Sequence, residues 1–420
     1  MLKYFIMTAE ALLMGAIVTG VSMGYARSRY PKSWKLSLLI GMALGVIGAG
    51  VMAYLKNATR LIDTSLWNMR NFIAAAVLLV LFLILTALQR PLHKGKLGTA
   101  AEIVTCSLLG LESALIIFYA LPDVLAYPYV ILLTEKSVLS TTFMLKTIGI
   151  IFGILMSIVI LCAIYQGMQR LTGTGRFLLL LLVLLIHTAR QVTVVLRIML
   201  TKHIIASNHT LFEIAKFSSN HDNWFTFAAI GAAAIIPVLL LVSSLHVDEP
   251  YRNPAEHRKI RKKWRLTRSW SVLVLVCMVC SVLNLTAIKT YANREIALSP
   301  VEDATITDGN VVVRFEQVED GHLHRFAYVT DDNVQIRFIV IKKPNSSAYG
   351  IGLDACDICG ETGYYEKNGQ VVCNLCDVVM NVNTIGFKGG CNPIVIPYSI
   401  ENGSIYVPID GLLEYEKEFK

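Results

Sequence analysis

Phe177-Leu-Leu-Leu-Leu-Leu-Val-Leu-Leu-Ile186 opens a stretch over 177–199 that meets no charged side chain before Arg190. At 1.5 Å per residue such a stretch crosses roughly 30 Å of hydrocarbon as a helix. Apolar runs of similar length lie at 5–25, 36–55, 71–89, 100–121, 145–166, 224–245 and 269–289. Together they predict an α-helical polytopic membrane bundle of about eight spans over 1–290, followed by a small β-rich metal-binding domain over 291–420. Composition agrees: 55% hydrophobic residues, 16% charged residues and a mean hydropathy of +0.56 lie outside the range of soluble globular proteins. The first run resembles a signal peptide, with Lys3 before it and Gly20, Ser22 and Gly24 late in it. Its length, and Arg27, Arg29, Lys32 and Lys35 directly after it, fit a retained span better.

The net charge of +8 points to no nucleic acid, because the basic residues concentrate in loops between apolar runs. The partner they imply is the lipid bilayer. Four basic residues follow span 1, Arg90, Lys94 and Lys96 follow span 3, and Arg170 and Arg176 follow span 5. The stretch 252–268, after span 7, carries eight more. The positive-inside rule assigns these loops to the cytoplasm. The loops 122–144, with Lys136, and 200–223 then face outside, as do both termini; the loop 56–70, with Lys56, Arg60 and Arg70, fits least well.

From about residue 300 the chain reads as a small extracytoplasmic domain. Strands are expected at 311–315, 324–328, 334–340 and 405–409, broken by turns at Asp320-Gly321 and 331–333. Between them lie Cys356-Asp-Ile-Cys359-Gly360, Cys373-Asn-Leu-Cys376 and Cys391. Two Cys-x-x-Cys knuckles aim four sulfurs at one ion, and soft sulfur suits zinc, a single iron or an iron–sulfur cluster. A structural zinc ribbon is one reading; disulfide pairing is another, which the odd count disfavours. Cys391 is then a fifth ligand, a replaceable ligand or a free thiol. His324 and His322 are candidate imidazole ligands.

The run Asp354-Ala-Cys356-Asp-Ile-Cys359-Gly360, Gly363-Tyr364, Cys373-x-x-Cys376-Asp-Val-Val-Met-Asn381, Thr384-Ile-Gly386 and Gly389-Gly-Cys391-Asn-Pro393 closely resembles the FtrD-like family of membrane iron–sulfur proteins. The resemblance is densest over 320–410. It implies a multi-span protein of the bacterial cytoplasmic (inner) membrane that carries electrons for ferrous-iron uptake. Its implied partners are an iron permease and a periplasmic metal-binding protein. It makes Cys356, Cys359, Cys373, Cys376 and Cys391 the ligands of an iron–sulfur cluster or iron. Assembled clusters are rarely exported, which keeps zinc and copper as alternatives.

The spans carry a second signal. Glu10 in span 1 and Glu112 in span 4 sit at comparable places, and a carboxyl in hydrocarbon marks a transport or proton path by default. If spans 1–3 and 4–6 are repeats, they are inverted relative to one another. The two segments are similar to the Arg-Glu-x-x-Glu helices of oxidase-dependent iron permeases. They depart from that motif at Ile6-Met7 and Leu108-Leu109, so only the last carboxylate of each is kept and the scaffold is a degenerate one. Glu102 with Cys106, and His187 with Arg190 and Gln191, share helix faces and extend the candidate path. Membrane haem is not expected, since His187 has no histidine in another span to complete the axial pair. Cys277-Met-Val-Cys280 reads as two core cysteines sooner than as a relay. No Walker loop, dinucleotide fingerprint or Ser-His-Asp pattern is found, which argues against ATP-driven pumping and intrinsic hydrolysis. The function expected is electron transfer or metal handling for bacterial iron uptake. The alternative is a transporter or scaffold with a zinc-ribbon docking domain.

Overall fold

The computed structural model describes residues 1–59, 62–88, 96–134, 137–206, 208–245, 249–292, 298–344, 346–367, 369–376, 378–389 and 391–420. Arg60, Arg90, Lys94 and Lys136, used above to orient the loops, lie outside them. The chain divides into two units, Met1–Asn293 and Arg294–Lys420.

The first unit is helical: α1 (Leu2–Arg29), α2 (Trp34–Ala58), α3 (Thr64–Leu88), α4 (Lys96–Thr134), α5 (Thr141–Met168), α6 (Gly175–Thr201), α7 (His209–Asn220), α8 (Asp222–Leu245), α9 (Pro254–Leu283) and α10 (Lys289–Ala292). Eight helices among the described residues are long and apolar enough to cross a membrane, which makes this a multi-pass membrane protein. The leucine run that opens α6 shows the division of labour. Leu180, Val183 and Leu184 are buried in the bundle, while Leu178, Leu182 and Leu185 face outward at 41% to 61% exposure, as a lipid-facing stripe requires.

Three boundaries differ from expectation. α4 runs to Thr134, through Pro122 and Pro128, where a loop was expected from residue 122. Val124 and Ile131 pack with Phe143 and Ile150 of α5, and this packing carries the helix past both prolines. The basic stretch before span 8 is also helix. Asn253 caps it by accepting from the Glu256 N–H at 2.8 Å, and Pro254 occupies the first turn. Part of the expected outer loop 200–223 is the short amphipathic α7, capped by Asn208.

The bundle repeats itself. α1 lies along α5 and α2 along α4 as the two most extensive pairs; α1 meets α6 as α4 meets α3, and the pairs α1–α4 and α3–α6 are each formed by two equivalent helices. Exchanging α1–α3 with α4–α6 reproduces this set of neighbours. The seams match in detail. Gly153 of α5 abuts Thr8, two residues before Glu10, and Gly41 of α2 abuts Gly110, two residues before Glu112. A Cβ at Gly153 would stand 2.7 Å from the Thr8 Cβ, and one at Gly41 would run into the Gly110 carbonyl. Small residues thus let the backbones approach where lipid supplies no hydrophobic drive. Gly41→Leu is expected to cost about 3 kcal/mol, the upper end for overpacking. Thermal unfolding of the detergent-solubilised chain checks this against Gly50→Leu, whose site has open space around it.

At one end of the bundle Arg27 lies over the Trp34 and Tyr165 rings, Arg170 lies over Trp270, and Arg176 bonds Ser28. The basic ends of α1, α5, α6 and α9 therefore share one side, with the aromatic anchors of a membrane interface.

The second unit is β-rich. β1 (Thr305–Thr307), β2 (Asn310–Arg314), β8 (Ser399–Glu401) and β9 (Ser404–Pro408) form an antiparallel sheet in the order β1-β2-β9-β8. β3 (His324–Val329), β4 (Gln335–Lys342) and β5 (Tyr349–Leu353) form a second, and β6 (Tyr364–Lys367) pairs with β7 (Gln370–Cys373). Phe315 and Ile409, expected as strand ends, begin the short helices α11 (Phe315–Val318) and α12 (Ile409–Leu413). Val311, Val313, Phe326, Phe338, Ile351, Ile405 and Val407 form the main core. β5, with glycines at 350 and 352, was not legible as a strand. Its glycines are needed because the third cysteine loop lies on it: a Cβ at Gly350 would meet Ile385 at 2.9 Å and one at Gly352 would meet Pro393 at 2.7 Å.

Candidate metal centre

The five cysteines of the second unit converge from three loops. The first knuckle leaves β5, turning at Gly360 with φ +66° so that Cys356 and Gly360 exchange backbone hydrogen bonds of 2.9 and 3.2 Å. The Cys356 Sγ accepts from the Cys359 N–H at 3.2 Å. The second leaves β7, where the Cys373 N–H donates to the Val378 carbonyl at 3.0 Å. The third is the loop before Pro393, held by the Tyr364 hydroxyl, which donates to the Cys391 carbonyl at 2.7 Å.

The sulfurs form two triads that share a corner. Those of Cys356, Cys359 and Cys373 lie within 4.8 Å of one another, as do those of Cys359, Cys376 and Cys391. Cys376 and Cys391 stand 3.7 Å apart. Two sulfurs bound tetrahedrally to one ion at about 2.3 Å are separated by about 3.8 Å, so the donor set fits a bound metal. All nine cysteines are unpaired, with no disulfide among them. Burial is graded: Cys356 and Cys373 are in the core, Cys359 and Cys391 are half-buried, and Cys376 is exposed. Ile358, Leu375 and Phe387, on the tips of the three loops, are 60% to 68% exposed.

Crowding of thiols shapes their acidity. Burial, followed by the neighbouring sulfurs Cys376 and Cys373, holds Cys359 well above the usual thiol range, and burial with Cys376 pushes Cys391 up to about 11. Burial also raises Cys373. For Cys376 burial is outweighed by the Val378 N–H and the surrounding thiols, which hold it below the usual range. Thiols packed this closely ionise together only around a cation.

Residues 318–419 match the family described as membrane iron-sulfur containing protein FtrD-like. This part of the chain is an FtrD-like domain. No curated protein and no solved structure matches the chain.

The FtrD-like domain rests on a buried ion network that the sequence did not announce. Arg325 and Asp354, 1% and 0% exposed, pair at 2.7 Å, and Arg337 reaches the same carboxylate oxygen at 3.3 Å. Arg325 also donates to the Ser299 and Tyr364 carbonyls, and Asp354 accepts from the Tyr364 N–H at 2.8 Å. Asp354 thereby ties β3, β4 and β6 together two residues before Cys356. The one hint in the sequence is its place at the head of the cysteine motif.

His324 corrects an expectation. Its Nδ1 faces Glu302 at 2.9 Å and its Nε2 faces Asp320 at 2.8 Å, so both ring nitrogens are taken by carboxylates and it belongs to neither triad. His322 also lies apart, bonded to Glu366 at 3.0 Å. That bond, and the charge behind it, raise His322 above its ordinary value of 6.5. A raised histidine stabilises the fold fully below pH 6.5, and the contribution is lost as pH rises through the raised value. His322→Asn is expected to flatten that part of the pH profile of domain unfolding, which proteolysis at graded pH can follow.

In the membrane unit, Glu10 receives Lys289 at 2.8 Å, while Glu112 is 5% exposed and its Oε2 has no hydrogen-bond partner. His187 is buried with Nε2 2.9 Å from Gln191 and Nδ1 unpartnered, and Arg190 pairs with Asp222 at 2.7 Å. Glu102 is half-buried a turn from the buried Cys106. Cys277 is buried as a core cysteine, whereas Cys280, expected in the core with it, is exposed.

Proposed function

We propose that Cys356, Cys359, Cys373, Cys376 and Cys391 hold iron, as an iron–sulfur cluster or a thiolate-bound ion, and that the protein serves electron transfer or metal handling in bacterial iron uptake. The observation that carries this is the pair of sulfur triads sharing Cys359 inside an FtrD-like domain. Bound iron supplies one-electron chemistry at a fixed place. The chain's own residues do the rest. Cys356 and Cys373 anchor the centre on the dry side, and Tyr364 positions the Cys391 loop. Exposed Cys376 leaves an edge open to a partner, rimmed by the apolar tips Ile358, Leu375 and Phe387. In this reading the domain lies outside the bacterial cytoplasmic membrane, the basic end of the bundle lies in the cytoplasm, and the partners are an iron permease and an extracytoplasmic metal-binding protein.

A second reading has its own observation. The 3.7 Å separation of Cys376 and Cys391 equals the edge of a single-ion tetrahedron, which suits one zinc or copper in a docking domain. Metal analysis and the visible spectrum of the anaerobically purified chain, before and after dithionite, separate the two. Iron with acid-labile sulfide and a band that bleaches is the expected result. One colourless zinc per chain overturns the redox reading.

A further inference from the structure

We propose that Glu112 is a proton-binding site of the membrane unit, a carboxyl kept neutral inside the bilayer, while its counterpart Glu10 is ion-paired with Lys289. The inference is independent of the metal centre.

The two glutamates occupy matching places in the two halves of the bundle, each two residues beyond the small-residue contact that joins its helix to the other half. Their surroundings differ. Lys289 reaches both oxygens of Glu10, at 2.8 and 2.9 Å. It comes from outside the repeated helices: after α9 the chain makes one π-turn, Asn284–Ile288, and enters α10 at Lys289. A π-turn adds a residue to the helical circuit and re-aims the side chains of the next turn, a device common at functional sites.

Glu112 has no such partner. α4 is packed by α1, α2, α3 and α5. The charges these helices bring near their contacts are engaged elsewhere: Glu10 with Lys289, Lys56 with Asp123 at 2.5 Å, and Arg70 over the Trp67 ring. Lys146 of α5 also has an interaction of its own. Among the described residues none pairs with Glu112, and its Oε2 is buried with no donor. An ionised carboxylate left this way in a low-dielectric interior is far costlier than a neutral carboxyl, so the group takes up a proton. Glu10 differs on both counts, being partly exposed and ion-paired. One half of the repeat therefore carries an exchangeable proton and the other an ion pair.

Infrared spectra of the full-length chain in lipid nanodiscs, taken over a range of pH in H2O and D2O, report the carbonyl stretch of a protonated carboxyl. The expected spectrum has a band that persists in Glu10→Gln and is absent in Glu112→Gln. If Glu112→Gln fails to fold, labelling of the wild-type chain by an apolar carbodiimide, mapped by mass spectrometry, is expected to mark Glu112 and spare Glu10. Absence of the band in the wild type, its survival in Glu112→Gln, or wild-type label on Glu10 overturns the proposal.

Discussion

Cys359→Ser is expected to abolish metal retention, with affinity falling by more than about 100-fold, beyond the range seen when only a supporting partner of a ligand is lost. Cys359 belongs to both sulfur triads, so its removal breaks both at once. Cys391→Ser breaks one triad and spares the other, and its loss is expected to be several-fold smaller. Metal-to-protein ratios after dialysis against graded chelator measure both. Equal losses from the two substitutions would mean that the triads do not act through their common sulfur.

Asp354→Ala is expected to destabilise the FtrD-like domain by about 3–5 kcal/mol, the usual consequence of leaving buried charge without its partner. Two guanidinium groups, Arg325 and Arg337, lose their carboxylate partner together, and the Tyr364 N–H loses its acceptor. Such a loss is a large share of the roughly 5–15 kcal/mol that holds a typical domain together. Arg325→Met is expected to lie at the low end of the range, because Arg337 still reaches the carboxylate. Hydrogen exchange of β3–β6 in the full-length chain reads the effect, and metal retention is expected to fall with it because Tyr364 also holds the Cys391 loop. Unchanged exchange in Asp354→Ala would show that the strands do not depend on this carboxylate.

The membrane architecture was legible because apolar length is a property of neighbouring residues, and lipid leaves helices little alternative. Helix ends were less so. The segment from residue 122 and the charged stretch 252–268 read as loops, yet packing against α5 and an Asn253 cap settled them otherwise. The cysteine spacing announced a metal-binding donor set. It did not show which sulfur joins the triads, nor that burial runs from Cys373 to Cys376, since both depend on how three loops meet. His324 looked like a ligand because its acceptors, Glu302 and Asp320, become visible only when β3 is in place. The Glu10–Lys289 pair joins residues 279 positions apart and had no signature in sequence.

That pair also depends on winding. An α-helix advances about 100° per residue, so the same five residues wound as a plain α-turn in place of the π-turn over Asn284–Ile288 would swing Lys289 by about that angle. Winding, as much as residue type, therefore matters in this segment: a change that tightens the π-turn to an α-turn without removing a residue puts the ammonium out of phase with Glu10.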